Sequence, residues 1–302
     1  MAARVRMVHR QLEVGSGHIA ECIFGPAGSN GAAMARSNMG SVHLNAEPAG
    51  GAVLFPKPSR RTPGAMIRFK PSVAARLRSF ASIAISLCVL SAAGFALARE
   101  VSCPHTNVTV ISVDDHDVGI ACEAAREAVG FFAANGLDTS GPVKVRLVRE
   151  LPDVASSSSY GCYDHRSRTV CMLHFHECLE QGPWANFAID RTLYKSLLTH
   201  EVAHALADMN FAVQRPNTLA HEYLAYVTMF ATMPAGERKR VLEQFPGTGF
   251  DSVDQMSVTY YLMNPLRFGA EAYRHFLKLG DKKTFLKDVL SGRVSIGRNP
   301  SS

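Results

Sequence analysis

The sequence predicts an α+β fold: a small mixed β-sheet lobe, then one helix that carries the chemistry, then a mostly helical C-terminal lobe. Three observations point there. Short segments of period-two alternation lie between residues 107 and 175. From residue 189 onward the apolar spacing is helical throughout. No internal repeat is present.

Taken in order, residues 107–113 alternate as a strand, and 118–135 read as a helix through Cys122, Ala125, Val129 and Phe132. Residues 142–148 are a second strand with Val143, Val145 and Leu147 on one face. A polar loop over 153–160 precedes a hairpin of 161–163 and 169–175, turning at Asp164-His165-Arg166-Ser167-Arg168. Helices are expected at 189–209, 218–232, 235–245, 252–263, 268–279 and 281–290. In the first of these, Leu193, Leu197, Leu198, Val202, Leu206 and Met209 form one buried stripe.

Arg76-Leu77-Arg78, the apolar run from Phe80 to Phe95, and Ala96-Leu97-Ala98 read as the basic, apolar and cleavage regions of a signal peptide. A single membrane anchor over 80–98 is the alternative. Either way the downstream domain is exported, to the periplasm or the medium. The chain therefore divides into 1–65, a disordered or spurious extension without helical or strand periodicity (or a transit peptide); 66–98, the signal segment; and 99–302, the functional domain. The net charge of +6 belongs to the leader: residues 1–98 hold 11 Lys+Arg against 3 Asp+Glu, whereas 99–302 hold 21 against 23. A domain without basic excess gives no support for nucleic-acid binding. Cys103, Cys122, Cys162, Cys171 and Cys178 lie in that domain and read as disulfide material in an exported protein. Cys103 with Cys122 and Cys162 with Cys171, leaving Cys178 over, is one pairing among several. No C-x-x-C pair is present to suggest a thiolate zinc site.

His200-Glu201-Val202-Ala203-His204 is the chemical signature. Side chains four apart share one face of a helix, so two imidazoles can hold one zinc ion while Glu201, rotated by about 100°, stands beside it as a general base. Metzincins place Gly three and His six residues beyond the second histidine; Ala207 and Asn210 stand there and exclude that branch. The next helix offers Glu222, with 17 residues between it and His204, near an end capped by Asn217 or Thr218. His221 is the competing ligand, and a solvated helix carboxylate is the plain reading of Glu222.

On these residues the chain resembles the gluzincin zinc peptidases. Glu222, Ala225 and Tyr226 match their second-helix pattern, although Tyr223 stands where Gly is common, and Asp208 follows His204 by four residues as in thermolysin-like proteins. The resemblance covers roughly residues 169–231. It implies a zincin-like fold, a Zn2+ cofactor held by His200, His204 and Glu222, catalysis by Glu201, and a peptide or protein substrate laid along an edge strand at 169–175. It implies an oxyanion donor among Tyr226, Tyr260, Tyr261 and His275. Asp208, one turn beyond His204, reads either as a hydrogen-bond partner behind the metal ligands or as a plain surface carboxylate. No stable membrane association is expected unless the signal segment is retained. A catalytically silent, exported zinc-binding scaffold is the alternative, against which the intact Glu201 speaks. His174 and His176 alternate on one strand face as either an accessory metal pair or exposed side chains. Arg238-Lys239-Arg240 read as the solvated face of a helix.

Overall fold

Val108, Val110 and Ser112 point inward and their neighbours outward, the period-two burial that makes β3 (Val108–Ser112) a strand with one core face. The structure, a computed structural model, describes residues 20–24 (backbone only), 98–152, 159–214 and 216–297. Residues 66–97 of the expected signal segment and residues 153–158 of the expected loop lie outside the described residues. Among the described residues, no helix is long and apolar enough to cross a membrane.

Six strands form one mixed sheet: β1 (Ala20–Phe24), β2 (Arg99–Ser102), β3, β4 (Val143–Val148), β5 (Ser159–Asp164) and β6 (Thr169–Leu173), in the spatial order β1-β5-β6-β4-β3-β2. β3, β4 and β6 run parallel, while β1, β2 and β5 are antiparallel to their neighbours. The β3-to-β4 connection needs a crossover element, and α1 (Val118–Ala134) provides it. Its buried face is mostly alanine (Ala121, Ala124, Ala125 and Ala128), which lets the next layer approach closely.

The α+β class and the order of elements match the sequence expectation, with four differences. The single helix expected over 252–263 is a 3-10 turn at Val253–Gln255 and a separate short helix at Val258–Met263, the backbone being extended at Met256 and Ser257. The segment 169–175 is not an edge: β6 lies between β4 and β5, and its last two residues leave the strand. β5 lies beyond it, and β1 adds antiparallel to β5 in register from Ala20 opposite Asp164 to Cys22 opposite Cys162. The lack of side-chain periodicity in 1–65 did not predict β1. An open edge offers backbone N–H and C=O groups to any extended segment, and β1 belongs to the same compact unit as residues 97–302. β2 and a short helix, α2 (Phe175–Gln181), are also additional. Asp117 fixes the start of α2: its carboxylate accepts the Phe175 N–H at 2.8 Å and faces His174 Nδ1 at 3.4 Å and Arg191 Nη1 at 3.3 Å. Burial raises its pKa, but these partners outweigh it and hold the carboxyl below its ordinary value.

The helical half contains α3 (Arg191–Asn210), α4 (Thr218–Thr232), α5 (Ala235–Glu243), α6 (Val258–Met263), α7 (Pro265–Lys278) and α8 (Lys282–Leu290). α3 begins at Asp190, whose side chain accepts the Leu193 N–H at 2.8 Å, and α4 begins at Asn217, which accepts the Leu219 N–H at 2.8 Å. The single stripe expected for α3 is too narrow. Every residue from Ser196 to Ala207 is buried, because α1 and the sheet cover one side and α4 another. Arg238 is not part of a solvated face: its Nη1 donates to the carbonyls of Phe230, Ala231 and Met233 at 3.1–3.3 Å, satisfying the end of α4.

Cys103 and Cys122 form a disulfide that ties the segment before β3 to α1. Cys162 and Cys171 face one another across β5 and β6, as the hairpin reading required, but no bridge joins their sulfurs. Cys178 is a buried thiol. Cross-linking closes a loop with a sequence separation of 19 residues. Replacing both Cys103 and Cys122 by Ala is expected to cost about 3 kcal/mol of unfolding free energy, read from denaturant melts.

Candidate metal centre

α3 places His200 and His204 one turn apart with their Nε2 atoms 3.0 Å from each other. α4 crosses it so that Glu222 Oε2 lies 3.6 Å from His200 Nε2 and Glu222 Oε1 3.8 Å from His204 Nε2. All three side chains are at most 2% exposed. Two helices, one from each half of the expected motif, thus converge four donor atoms on one point. A tetrahedral zinc ion with bonds near 2.1 Å keeps its donors about 3.4 Å apart, so the three residues fit such an ion with little movement. A carboxylate this deep in a core costs free energy unless it is paired or ligates a cation. The donor set itself, two imidazoles and a carboxylate, is the zinc type that leaves a coordination position for water.

His221, the competing ligand, turns away. Its ring packs against Phe211 at 4.4 Å and His165 at 4.9 Å, with 6.1 Å to the His204 ring. Successive helix residues are rotated by about 100°, so α4 can direct Glu222 to one place and His221 to another.

Glu201 is fully buried on α3 beneath β5. Gly161 makes the room: a Cβ there would come 2.9 Å from Glu201 Cγ and 2.7 Å from Met172 Sδ. Of the four oxyanion candidates, Tyr226 packs edge-on to the His200 ring at 4.5 Å. Burial first, then the charges of Glu222 and Glu201, raise its hydroxyl well above the ordinary tyrosine value. Tyr260 packs on Phe250, Tyr261 on Phe268, and His275 shares a 2.8 Å hydrogen bond with the Tyr223 hydroxyl. Gly269 on α7 serves Tyr226 as Gly161 serves Glu201, since a Cβ there would meet the ring at 2.5 Å (Cγ) and 2.9 Å (Cε1).

Asp208 is hydrogen-bonded to Tyr163 and His165. One carboxylate oxygen accepts the Tyr163 hydroxyl at 2.9 Å, and the other lies 3.0 Å from His165 Nδ1. Burial pushes its pKa up, but the bonds from His165 and Tyr163 and the charges of His165 and His221 more than compensate, leaving it below the ordinary value. The structure does not bring His174 and His176 together as a pair. His174 is buried beside Asp117 at the end of the strand, and His176 lies on exposed α2 next to Glu180. Sequence reading passed over Gly161, Tyr163, His165 and Gly269. The one available signal was position 208, a further i+4 step on the face of His200 and His204.

The family profile described as a family of unknown function, DUF6639, matches residues 108–299, and the chain belongs to that family. No curated protein and no solved structure matches it.

Three glycine substitutions test the packing of the site. Gly161→Ala and Gly269→Ala should each lose roughly 1–3 kcal/mol through overpacking. Gly130→Ala, mid-helix on α1 with nothing within 4 Å of the added methyl, should gain about 0.5–1 kcal/mol. Denaturant midpoints read all three.

Proposed function

We propose that this DUF6639 member is an exported zinc-dependent hydrolase, a peptidase on a zincin-like frame. The observation that carries the reading is the buried triangle of His200, His204 and Glu222 with Glu201 adjacent on the same helix. Zinc bound there would lower the pKa of a coordinated water to about 7 and polarise the scissile carbonyl.

The chain's own residues do the rest. Glu201 would take a proton from water as it adds to the carbonyl carbon and deliver it to the departing amine. Burial beneath β5 keeps that carboxylate out of bulk solvent, and Gly161 gives it space without displacing the strand. Tyr226, packed edge-on, orients the His200 ring. A purely structural zinc site has no use for a general base at 201 or for a glycine opposite it, which favours catalysis over a silent scaffold.

The substrate edge in this reading is β5 rather than β6. β5 passes directly over Glu201, and the chain's own Ala20–Phe24 already lies antiparallel along it. An extended peptide would bind there by strand addition, through backbone hydrogen bonds. The Cys103–Cys122 disulfide accords with export to an oxidising compartment.

Metal analysis and a quenched peptide library test the reading. Glu222→Ala should lose zinc from the His200/His204 site. Glu201→Gln should retain the metal and lose about 10²–10⁴-fold in turnover, the usual worth of a general base. Retained turnover in Glu201→Gln would sink the proposal. In the uncleaved chain β1 and a peptide compete for one edge, so deletion of residues 1–65 from that chain should raise kcat/KM, measured on the same library.

A further inference from the structure

A second set of donors lies beside the first. His165, Asp208 and His221 come from three separate elements: the turn between β5 and β6, the last turns of α3, and the first turn of α4. Their ligand atoms all lie within 4.8 Å of one another. We propose that these three residues bind a second divalent cation of the zinc class, one helical turn along α3 from His204.

The helix geometry makes the pair of sites a single design. His200, His204 and Asp208 occupy i, i+4 and i+8 on one face of α3, so the same ridge supplies two ligands to one site and one to the next. His221 and Glu222 are consecutive on α4 and divide between the two sites. Asp208 is held for this role. Tyr163 donates to one carboxylate oxygen at 2.9 Å, and the other oxygen faces His165 Nδ1 at 3.0 Å. A ligating carboxylate is commonly fixed by just such an outer hydrogen bond. The His165 and His221 rings stand edge-to-face at 4.9 Å. Donors of one zinc ion lie about 3.4 Å apart, so closing this set requires shifts of about 1 Å or less.

Two imidazoles and one carboxylate suit zinc, cobalt, nickel or copper. Calcium and magnesium call for oxygen-rich cages and are not served here. The side chains of His165 and Asp208 are 21% and 19% exposed, whereas His221 is buried. An ion therefore has a route in from solvent and a floor to rest on. Its effect would be to fasten the β5–β6 turn to the α3–α4 pair, next to the strand that passes over Glu201. Without an ion, Asp208 pairs with His165 and accepts the Tyr163 hydroxyl, so the states with and without an ion differ in metal content. The inference stands beside the proposed catalytic site and does not require that site to be active.

The test is zinc stoichiometry of the full chain, stripped by chelator, reloaded by equilibrium dialysis and measured by mass spectrometry. Wild type should hold two equivalents, His165→Ala one, His200→Ala one, and the double variant none. Far-ultraviolet dichroism would check folding, and Asp208→Asn, of nearly unchanged shape, should also fall to one. In His200→Ala, where only the second site remains, added zinc should raise Tm, and that rise should vanish in the double variant. One equivalent in wild type, unchanged in His165→Ala and Asp208→Asn, would overturn the second site and leave the catalytic reading intact. One equivalent that survives His200→Ala but not His165→Ala would sustain the second site and remove the first.

Discussion

The crossing of α3 and α4 is the constraint on which the rest depends. It buries two imidazoles and two carboxylates in the middle of an apolar core, at 0–1% exposure for His200, Glu201, His204 and Glu222. Charged groups are placed so deep only when paired or when they hold a metal. Much of the surrounding architecture can be read as support for that arrangement. The alanine face of α1 permits α3 to sit inside the molecule, and Asp190 and Asn217 start the two helices at the registers that bring residues 200, 204 and 222 together. Gly161 and Gly269 remove side chains where Glu201 and Tyr226 need the space. The site is therefore a property of the core packing and not of a surface loop.

A consequence follows for stability. The donor atoms of the triangle lie 3.0–3.8 Å apart across the interface of two helices. An ion binding there links folding to metal binding, because the unfolded chain has no preformed site. The metal would thus contribute to the packing of α3 on α4 as well as to chemistry. The same logic extends to the neighbouring donors on the β5–β6 turn, where a cation would fasten the sheet edge to the helix pair.

How much of this was legible beforehand follows the range of each interaction. Helical spacing is a local signal, so α1, α3 and α4 were placed within one or two residues of their observed ends, and the i, i+4 geometry of His200 and His204 could be read directly. Glu222 was identified through the family resemblance, and the caps at Asn217 supported it. Strand order is non-local, so the edge that the resemblance implies at 169–175 fails: nothing in a hairpin's sequence says which of its strands pairs inward. β1 escaped because its pairing runs through backbone groups, which leave no side-chain pattern. Gly161 and Gly269 owe their meaning to residues 40 or more positions away, and His165 looked like any turn histidine until the fold set it against Asp208. The Cys162–Cys171 pairing is right in register, and no bridge joins the two sulfurs.

Diffraction from crystals of the full chain, recorded at the zinc absorption edge, tests the central claim most directly. An anomalous peak about 2 Å from His200 Nε2, His204 Nε2 and one Glu222 oxygen is the predicted result. A zinc-soaked crystal with no peak between those three side chains, and with the Glu222 carboxylate swung away from both rings, would contradict the account.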